Sequence, residues 1–234
     1  MQYKKKIAIC FHLGYHDLFY QFTQYIDNVL NYDNTADLYI TYQCDESLLV
    51  DVKNKYPSAR YYKTMLGCDT GAFLYCMNEI DNLQIKYKYI FKIHTKKNYL
   101  WRIGMLDPLS NVNNIINTFS KHRKIGMIGA SNFKSKYIYP NRNIIHNILR
   151  SMNIIVARRA KFEFLAGTIF WMKGRVVRKF IKIIKYSGNK LINFYNLCEV
   201  GYPNEPSYTH SWERIFGYMV HITKYKKFYV GALQ

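Results

Sequence analysis

The sequence predicts an α/β fold in which a mostly parallel sheet carries helices on both faces. Short apolar runs alternate along the chain with segments whose apolar residues recur every three or four positions. The runs are typical of buried strands, and the segments are typical of amphipathic helices. Strands joined through helices lie parallel, because the helix carries the chain back to the edge where the preceding strand began. The chain has no linker, repeat or low-complexity stretch, so a single domain over residues 1–234 is expected.

The first half of the chain shows this alternation most clearly. Its predicted elements are strand 7–11, a helix that begins at Asp17, strand 38–42, helix 47–56, strand 59–63, helix 72–80 and strand 87–93. Asp17 is a favourable N-cap, and Phe22 and Ile26 behind it recur at helical spacing. Pro57 ends the second helix. The run 87–93 is the strongest strand prediction, and it stops abruptly at polar residues.

The second half is less regular. Its predicted elements are strands 125–129 and 168–172, helix 176–184 and helix 207–220. A small-residue corner, Ala166-Gly167, stands before the second of these strands. A polar loop with two prolines, 201–206, precedes the last helix.

Polar residues follow the ends of the predicted strands. His12 comes after the first strand, His94 and Lys96 come after the strand 87–93, and Asp69 lies in a turn flanked by two glycines. Ligands of open α/β sheets bind outside the carboxyl ends of the strands, so we expect these residues around one site. Each also has a structural interpretation: Asp69 as a helix N-cap, and residues 94–97 as a solvated strand end.

The charge balance indicates a polyanionic partner. The chain has 34 Lys and Arg against 15 Asp and Glu, a net charge of +19. Such a surplus is typical of proteins that meet nucleic acid, anionic lipid or a phosphorylated small molecule. One function hypothesis is therefore a non-catalytic nucleic-acid-binding protein that uses its charge and its many tyrosines. No run of five basic residues occurs to support it.

Several classes of protein lack their defining motifs here. The chain has no P-loop, GxGxxG, HExxH or GxSxG sequence, which argues against kinase, Rossmann dehydrogenase, zincin and α/β-hydrolase chemistry. Five cysteines without a CxxC pair, together with no signal-like or membrane-spanning stretch, predict a cytoplasmic protein with free thiols. Peripheral contact with anionic membranes through its lysines is a further expectation.

Four ordered motifs carry a family resemblance. They are Gly-x-Asp-x-Gly-x-Phe at 67–73, Lys-Ile-His-Thr-Lys-Lys at 92–97 with Trp-Arg at 101–102, Ala-Gly-Thr-Ile-Phe-Trp at 166–171 and His-x-x-Glu-Arg-Ile-Phe at 210–216. In this order the chain resembles the rhamnan synthesis protein F family of glycosyltransferases, including its short viral members. The resemblance implies a GT-A-like (Rossmann-like) nucleotide-sugar-binding fold and a role in polysaccharide biosynthesis.

The resemblance also implies a reaction. The expected enzyme moves a sugar, rhamnose or a related hexose, from a UDP- or dTDP-sugar to a hydroxyl of a glycan or glycoconjugate, and no nucleic-acid partner is expected. Asp69 and His210 are expected to hold a divalent cation, Mn²⁺ or Mg²⁺. Lys96 and His94 would meet the diphosphate, and His12 would lie near the nucleoside.

The remaining expected roles concern the sugar and the acceptor. Gly167 and Thr168 would line the donor sugar or the acceptor, with Trp171 supporting the pocket. An inverting transfer needs a carboxylate base, for which Glu205 and Glu163 are both candidates.

The chain departs from the family pattern around the metal. It has no Asp-x-Asp motif, and His94-Thr95-Lys96 stands about where one is expected. A metal-independent site, in which Lys96 and His94 suffice, therefore stays open as an alternative. His210 and Glu213 stand three apart on one helical face, where they could share a metal or serve only as a helix-start residue and an ion-pair partner of Arg214.

Overall fold

A seven-stranded sheet forms the centre of the computed structural model, which describes residues 7–156 and 162–231. Its strands are β1 (Ile7–Leu13), β2 (Asp37–Tyr42), β3 (Arg60–Lys63), β4 (Tyr89–His94), β5 (Ile125–Ala130), β8 (Phe170–Lys173) and β9 (Lys226–Val230). Two short strands, β6 (Lys134–Ser135) and β7 (Phe164–Leu165), pair separately. The strand order is β3-β2-β1-β4-β8-β5-β9, and only β8 runs antiparallel to its neighbours in this sheet.

Helices cover both faces of the sheet. They are α1 (Phe19–Tyr32), α2 (Val50–Lys55), α3 (Cys68–Asn82), α4 (Tyr99–Leu106), α5 (Val112–Lys121), α6 (Arg142–Ser151), α7 (Gly174–Tyr186), α8 (Leu191–Tyr195) and α9 (Tyr208–Ile222). One apolar cluster packs α3, α6, α7, α8 and α9 on the sheet, and a second packs α1, α2, α4 and α5 on the opposite face. This arrangement confirms the α/β prediction. The single-domain organisation stays a prediction.

The alternation of side chains along the strands explains the two clusters. In β1, Ile9 and Phe11 belong to one cluster and Cys10 to the other, because successive residues of a strand point to opposite faces. In β4 the same rule places Ile90 on the α3 side. Lys92, two residues further on, therefore projects into that apolar side as well.

Several element boundaries differ from the predicted ones. Asp17 does not cap α1: it lies inside a short 3₁₀ turn, His16–Leu18, and α1 begins at Phe19 without a side-chain cap. α3 begins at Cys68, so the predicted turn 67–71 is mostly the first turn of the helix. Gly67 adopts φ +67°, a left-handed conformation that favours glycine, at the N-cap of α3.

Other elements carried no prediction. The helices α4, α5 and α6 and the strand β9 lie in stretches without a predicted element. All five cysteines lie in the described ranges, where the structure shows each of them unpaired. Among the described helices, none combines the length and the hydropathy of a membrane span. The cytoplasmic location stays a prediction.

Candidate active site

A cleft lies at the carboxyl ends of β1 and β4. Its first part, here called the β1 pocket, encloses about 950 Å³, including space open to solvent, and borders the segment after β1. Its second part, the α9 pocket, encloses about 800 Å³ on the same measure and borders the start of α9. The residues that line both parts are Asp69, His94, Lys96 and Tyr202. The two pockets therefore adjoin each other, and these four residues form the junction between them.

Lys92 lies directly beneath this junction. Its side chain is 2% exposed, and its ammonium Nζ is 2.8 Å from Asp69 Oδ2 and 2.7 Å from Thr168 Oγ1. The Thr168 hydroxyl in turn donates a hydrogen bond to Asp69 Oδ2. The rings of Phe73 and Phe170 flank the ammonium at 5.9 Å each. A buried ammonium is stable only with such partners, so Lys92, Asp69 and Thr168 form one unit.

The antiparallel strand β8 brings Thr168 to this unit. Phe170 is the register partner of Lys92. The chain therefore enters β8 at the carboxyl end of β4, and Thr168 lies beside the lysine. Gly167 and Thr168 both have positive φ, +83° and +52°. This tight corner places the Thr168 hydroxyl over the lysine and leaves the Gly167 N–H facing α9.

Asp69 is ionised at this position. Burial on its own would raise the pKa of Asp69, but His94 and Lys92 hold it well below the usual range of a carboxyl group. Burial lowers the pKa of Lys92, and Asp69 opposes that effect. The two opposite charges stabilise each other in a site from which water is largely excluded.

Two buried histidines line the cleft near Asp69. His94 Nδ1 lies 3.5 Å from Asp69 Oδ2, and burial lowers the pKa of His94 to about 3. His12 Nδ1 lies 3.1 Å from Thr41 Oγ1, and burial lowers the pKa of His12 to about 4. Both imidazoles are neutral at neutral pH, so they offer hydrogen bonds to a ligand but no full positive charge.

The segment after β4 is tied to the end of β1. Thr95 Oγ1 accepts hydrogen bonds from the N–H groups of Gly14, at 2.9 Å, and Tyr15, at 2.8 Å. Lys96 follows, half-buried, with its Nζ 4.9 Å from the centre of the Trp101 ring. Since the neighbouring histidines are neutral, Lys96 is the positive charge that lines both pockets.

One arginine holds two carboxylates of the α9 pocket, those of Glu205 and Glu213. Arg214, 5% exposed, donates to Glu213 Oε2 at 2.7 Å and to Glu205 Oε1 at 2.6 Å. The other oxygen of Glu213 accepts the Gly167 N–H at 2.7 Å. Burial raises the pKa of Glu213, although Arg214 and Gly167 oppose this effect. Glu213 thus fixes the corner that carries Thr168.

His210 lies at the first turn of α9. Ser207 caps the helix by accepting the His210 N–H at 3.1 Å, and the same hydroxyl lies 2.8 Å from His210 Nδ1. His210 Nε2 is 3.3 Å from the hydroxyl of Tyr202. The pairing of Glu213 with Arg214 and the helix-start position of His210 follow the structural interpretation of this motif.

The comparison with known families agrees with this geometry. A family model described as rhamnan synthesis protein F matches residues 1–225. The chain belongs to the rhamnan synthesis protein F family. A search of curated proteins gives no match. Membership confirms the resemblance and points to rhamnan synthesis, which is consistent with a glycosyltransferase.

Most of the site residues that the sequence predicts lie in the cleft of this member of the rhamnan synthesis protein F family. Eight of them line it: His12, Asp69, His94, Lys96, Gly167, Thr168, Glu205 and His210. Their roles stay predictions.

Two of the predicted site residues lie outside the cleft. Glu163 is not among the cleft-lining residues and contacts Tyr229 and Lys134, at 2.6 and 3.2 Å. Trp171 is fully buried, stacked on Phe91 on the sheet face opposite α3.

Sequence reasoning missed Lys92. A signal was present, because Lys92 interrupts an apolar strand at a position that the period of two assigns to the core. A lysine in such a place needs an anionic partner, and Asp69 was the nearby candidate.

The residues at Asp69 do not fit a divalent cation well. Asp69 Oδ2 is already occupied by the Lys92 ammonium and the Thr168 hydroxyl, and both ring nitrogens of His210 face hydroxyl groups. Within 7–156 and 162–231, no group of three or more His, Cys, Asp or Glu side chains could hold a metal. Hard cations prefer several oxygen ligands, whereas this donor set offers little beyond the second oxygen of Asp69.

Proposed function

We propose that this protein is a glycosyltransferase that moves a sugar, rhamnose or a related hexose, from a nucleoside-diphosphate donor to a hydroxyl of a glycan or glycoconjugate. The observation that carries this proposal is the two-part cleft with Lys96 at its junction. A nucleotide sugar has a matching form, in which a charged diphosphate joins a nucleoside at one end to a sugar at the other. Membership of the rhamnan synthesis protein F family supports the same reaction class.

The β1 pocket suits the nucleoside. It lies between the ends of β1 and β4, where open α/β sheets bind their ligands, and His12 lines it as a neutral imidazole able to hydrogen-bond a ribose or a base. Gly14 lines it too, so the backbone there leaves room for a ligand. UDP- and dTDP-sugars are the donors that we propose.

The diphosphate belongs at the junction. Negative charge develops on it as the glycosidic bond breaks, and a preorganised cation stabilises that charge in a site of low dielectric. Lys96 supplies the charge, and His94 supplies a hydrogen bond. An unpaired Asp69 carboxylate would repel the diphosphate, because both are anions. Its pairing with Lys92 neutralises the carboxylate and so removes this repulsion. We therefore propose stabilisation by fixed positive charge, and the divalent cation stays a prediction to be tested.

The α9 pocket suits the donor sugar and the acceptor. Trp101, Tyr137 and Tyr202 line it and offer aromatic surface, while Thr168 and Gly167 provide its polar floor. Glu205 lines the pocket, whereas Glu163 does not, so we propose Glu205 as the base that deprotonates the acceptor hydroxyl. Arg214 orients Glu205 through a single oxygen, Oε1.

Nucleotide binding separates this proposal from the nucleic-acid-binding hypothesis. A transferase is stabilised against heat by UDP or dTDP, because a ligand that binds only the folded state raises its melting temperature. Stabilisation by either nucleotide, lost in the Lys96→Ala variant, supports the proposal. Tight and salt-sensitive binding to oligonucleotides without stabilisation by either nucleotide would favour the other hypothesis.

A further inference from the structure

The edge of the sheet opposite the cleft carries a second concentration of positive charge. Four basic segments meet there, at residues 86–88, 121–124, 173–179 and 224–227. All twelve Lys and Arg side chains of these segments are exposed or half-exposed. We call eight of them the basic rim: Lys88, Lys121, Arg123, Lys124, Lys173, Arg175, Lys224 and Lys226. They come from the amino ends of β4, β5 and β9 and the carboxyl end of β8.

Hydrogen bonds to backbone carbonyls join these segments into one surface. The Gly174 N–H donates to the Lys88 carbonyl at 2.9 Å, and the Lys226 N–H donates to the Lys124 carbonyl at 2.8 Å. Lys173 Nζ donates to the Arg123 carbonyl at 3.0 Å. The four strands are consecutive in the sheet order β4-β8-β5-β9, so their ends span about 15 Å at the usual strand spacing.

The eight rim cations have no described ion pair with an acidic residue. The four segments contain no Asp or Glu, and none of the eight rim cations makes an ion pair within the described part of the chain. Glu163 is the only acid between Pro108 and Cys198, and it pairs with Lys134. Like charges at such spacing are within a screening length and repel each other, so an anionic partner stabilises the surface.

The basic rim is separate from the cleft. The six residues of β4 lie between them, a length of about 20 Å. A partner on the rim therefore leaves the cleft open, and its binding does not depend on the proposed transferase reaction.

We propose that the basic rim docks the protein on an anionic lipid bilayer. The rim is built from the ends of four neighbouring strands of one sheet, and an anionic bilayer presents a broad array of negative charges to such an edge. Electrostatic attraction alone, about fivefold in affinity per lysine, accounts for membrane docking of basic surfaces. Phe228 lies on the same side of the edge strand β9 as Lys226 and is 37% exposed, which provides an apolar contact at the interface.

Vesicle binding by the full chain tests this proposal. The wild type should sediment with vesicles of mixed phosphatidylserine and phosphatidylcholine but not with pure phosphatidylcholine. A triple variant, Lys121→Gln, Lys124→Gln and Lys226→Gln, should lose about 100-fold in the partition constant, at about fivefold per charge. A matched variant with the same change in net charge, Lys53→Gln, Lys63→Gln and Lys190→Gln, should stay close to the wild type.

Three outcomes would overturn the proposal. If the vesicle partition constant fell equally in the two triple variants, the binding would depend on net charge rather than on the rim. Wild-type binding to pure phosphatidylcholine as strong as to mixed vesicles would remove the electrostatic basis. Oligonucleotide binding that is lost in the rim variant while vesicle binding persists would make nucleic acid the partner. Thermal melting of both variants, and their binding of UDP or dTDP, should match the wild type, which separates this test from that of the transferase.

Discussion

Lys92 and Asp69 form a buried ion pair, with Nζ 2.8 Å from Oδ2, at the floor of the cleft. The side chain of Lys92 is 2% exposed and that of Asp69 is 21% exposed, so the carboxylate stands between the lysine and the cleft. Asp69 thereby meets the cleft as part of a neutral pair, and a nucleoside diphosphate can approach it without repulsion between two anions.

Replacing Lys92 should destabilise the protein strongly. In Lys92→Met the Asp69 carboxylate loses its cation in a largely buried place, which costs about 3 kcal/mol of the free energy of unfolding. Urea denaturation measures this loss. The double variant Lys92→Met, Asp69→Asn should be more stable than the sum of the two single changes predicts, because it leaves no unpaired charge. Strict additivity would show that the pair does not interact.

Replacing Lys96 should weaken donor binding without harming the fold. A charge-assisted contact with the diphosphate contributes about 1–3 kcal/mol, so Lys96→Ala should lower the affinity for UDP or dTDP by about 5- to 150-fold. Isothermal titration calorimetry measures this change, and Lys63→Ala, which is outside the cleft, is the control. Unchanged nucleotide affinity in a folded Lys96→Ala variant would remove Lys96 from the site.

Replacing Glu205 should lower the turnover number more than replacing Glu163 does. A positioned general base contributes about 10²- to 10⁴-fold to a rate, so Glu205→Gln should lower the turnover number by that range and leave donor binding intact. Glu163→Gln is the matched control, because Glu163 binds Tyr229 and Lys134 instead. Steady-state kinetics that show the large loss in Glu163→Gln would reverse this assignment.

Acid should destabilise the protein through its buried histidines. His94 and His12 have folded-state pKa values of about 3 and about 4, below the unfolded value of 6.5. Between these values the unfolded state binds more protons, so the stability falls as the pH drops below 6.5. Urea denaturation at pH 7.5, 6 and 5 should show a loss that reaches about 4 kcal/mol at pH 5, about 2 kcal/mol from each histidine. His94→Asn should show a smaller loss, and an equal loss in this variant would contradict the role of His94.

The sequence alone could predict where the cleft lies. The apolar runs of β1 and β4 are long and distinct, and His12, His94 and Lys96 stand at or just beyond their carboxyl ends, so the rule for carboxyl ends predicts one site that these residues line, as they do. Asp69 was placed for the same reason, although its glycine-flanked turn is in fact the first turn of α3.

The direction of β8 could not be predicted, because an apolar run does not reveal whether a strand runs parallel or antiparallel. Because the direction of β8 was unknown, the contact of Thr168 with Lys92 could not be predicted. Glu205 and Glu163 could not be separated either, since only the tertiary fold brings Arg214 to one of them and Tyr229 to the other.

The release of nucleoside diphosphate from a panel of UDP- and dTDP-sugars tests the account most directly. The wild type should release UDP or dTDP from at least one donor, with Mn²⁺ present and also with EDTA in excess, and Lys96→Ala should release it much more slowly. If release needs Mn²⁺, a divalent cation rather than the fixed charge of Lys96 stabilises the leaving diphosphate. No release from any donor, together with no binding of UDP or dTDP, would contradict the assignment of this cleft to a glycosyltransferase.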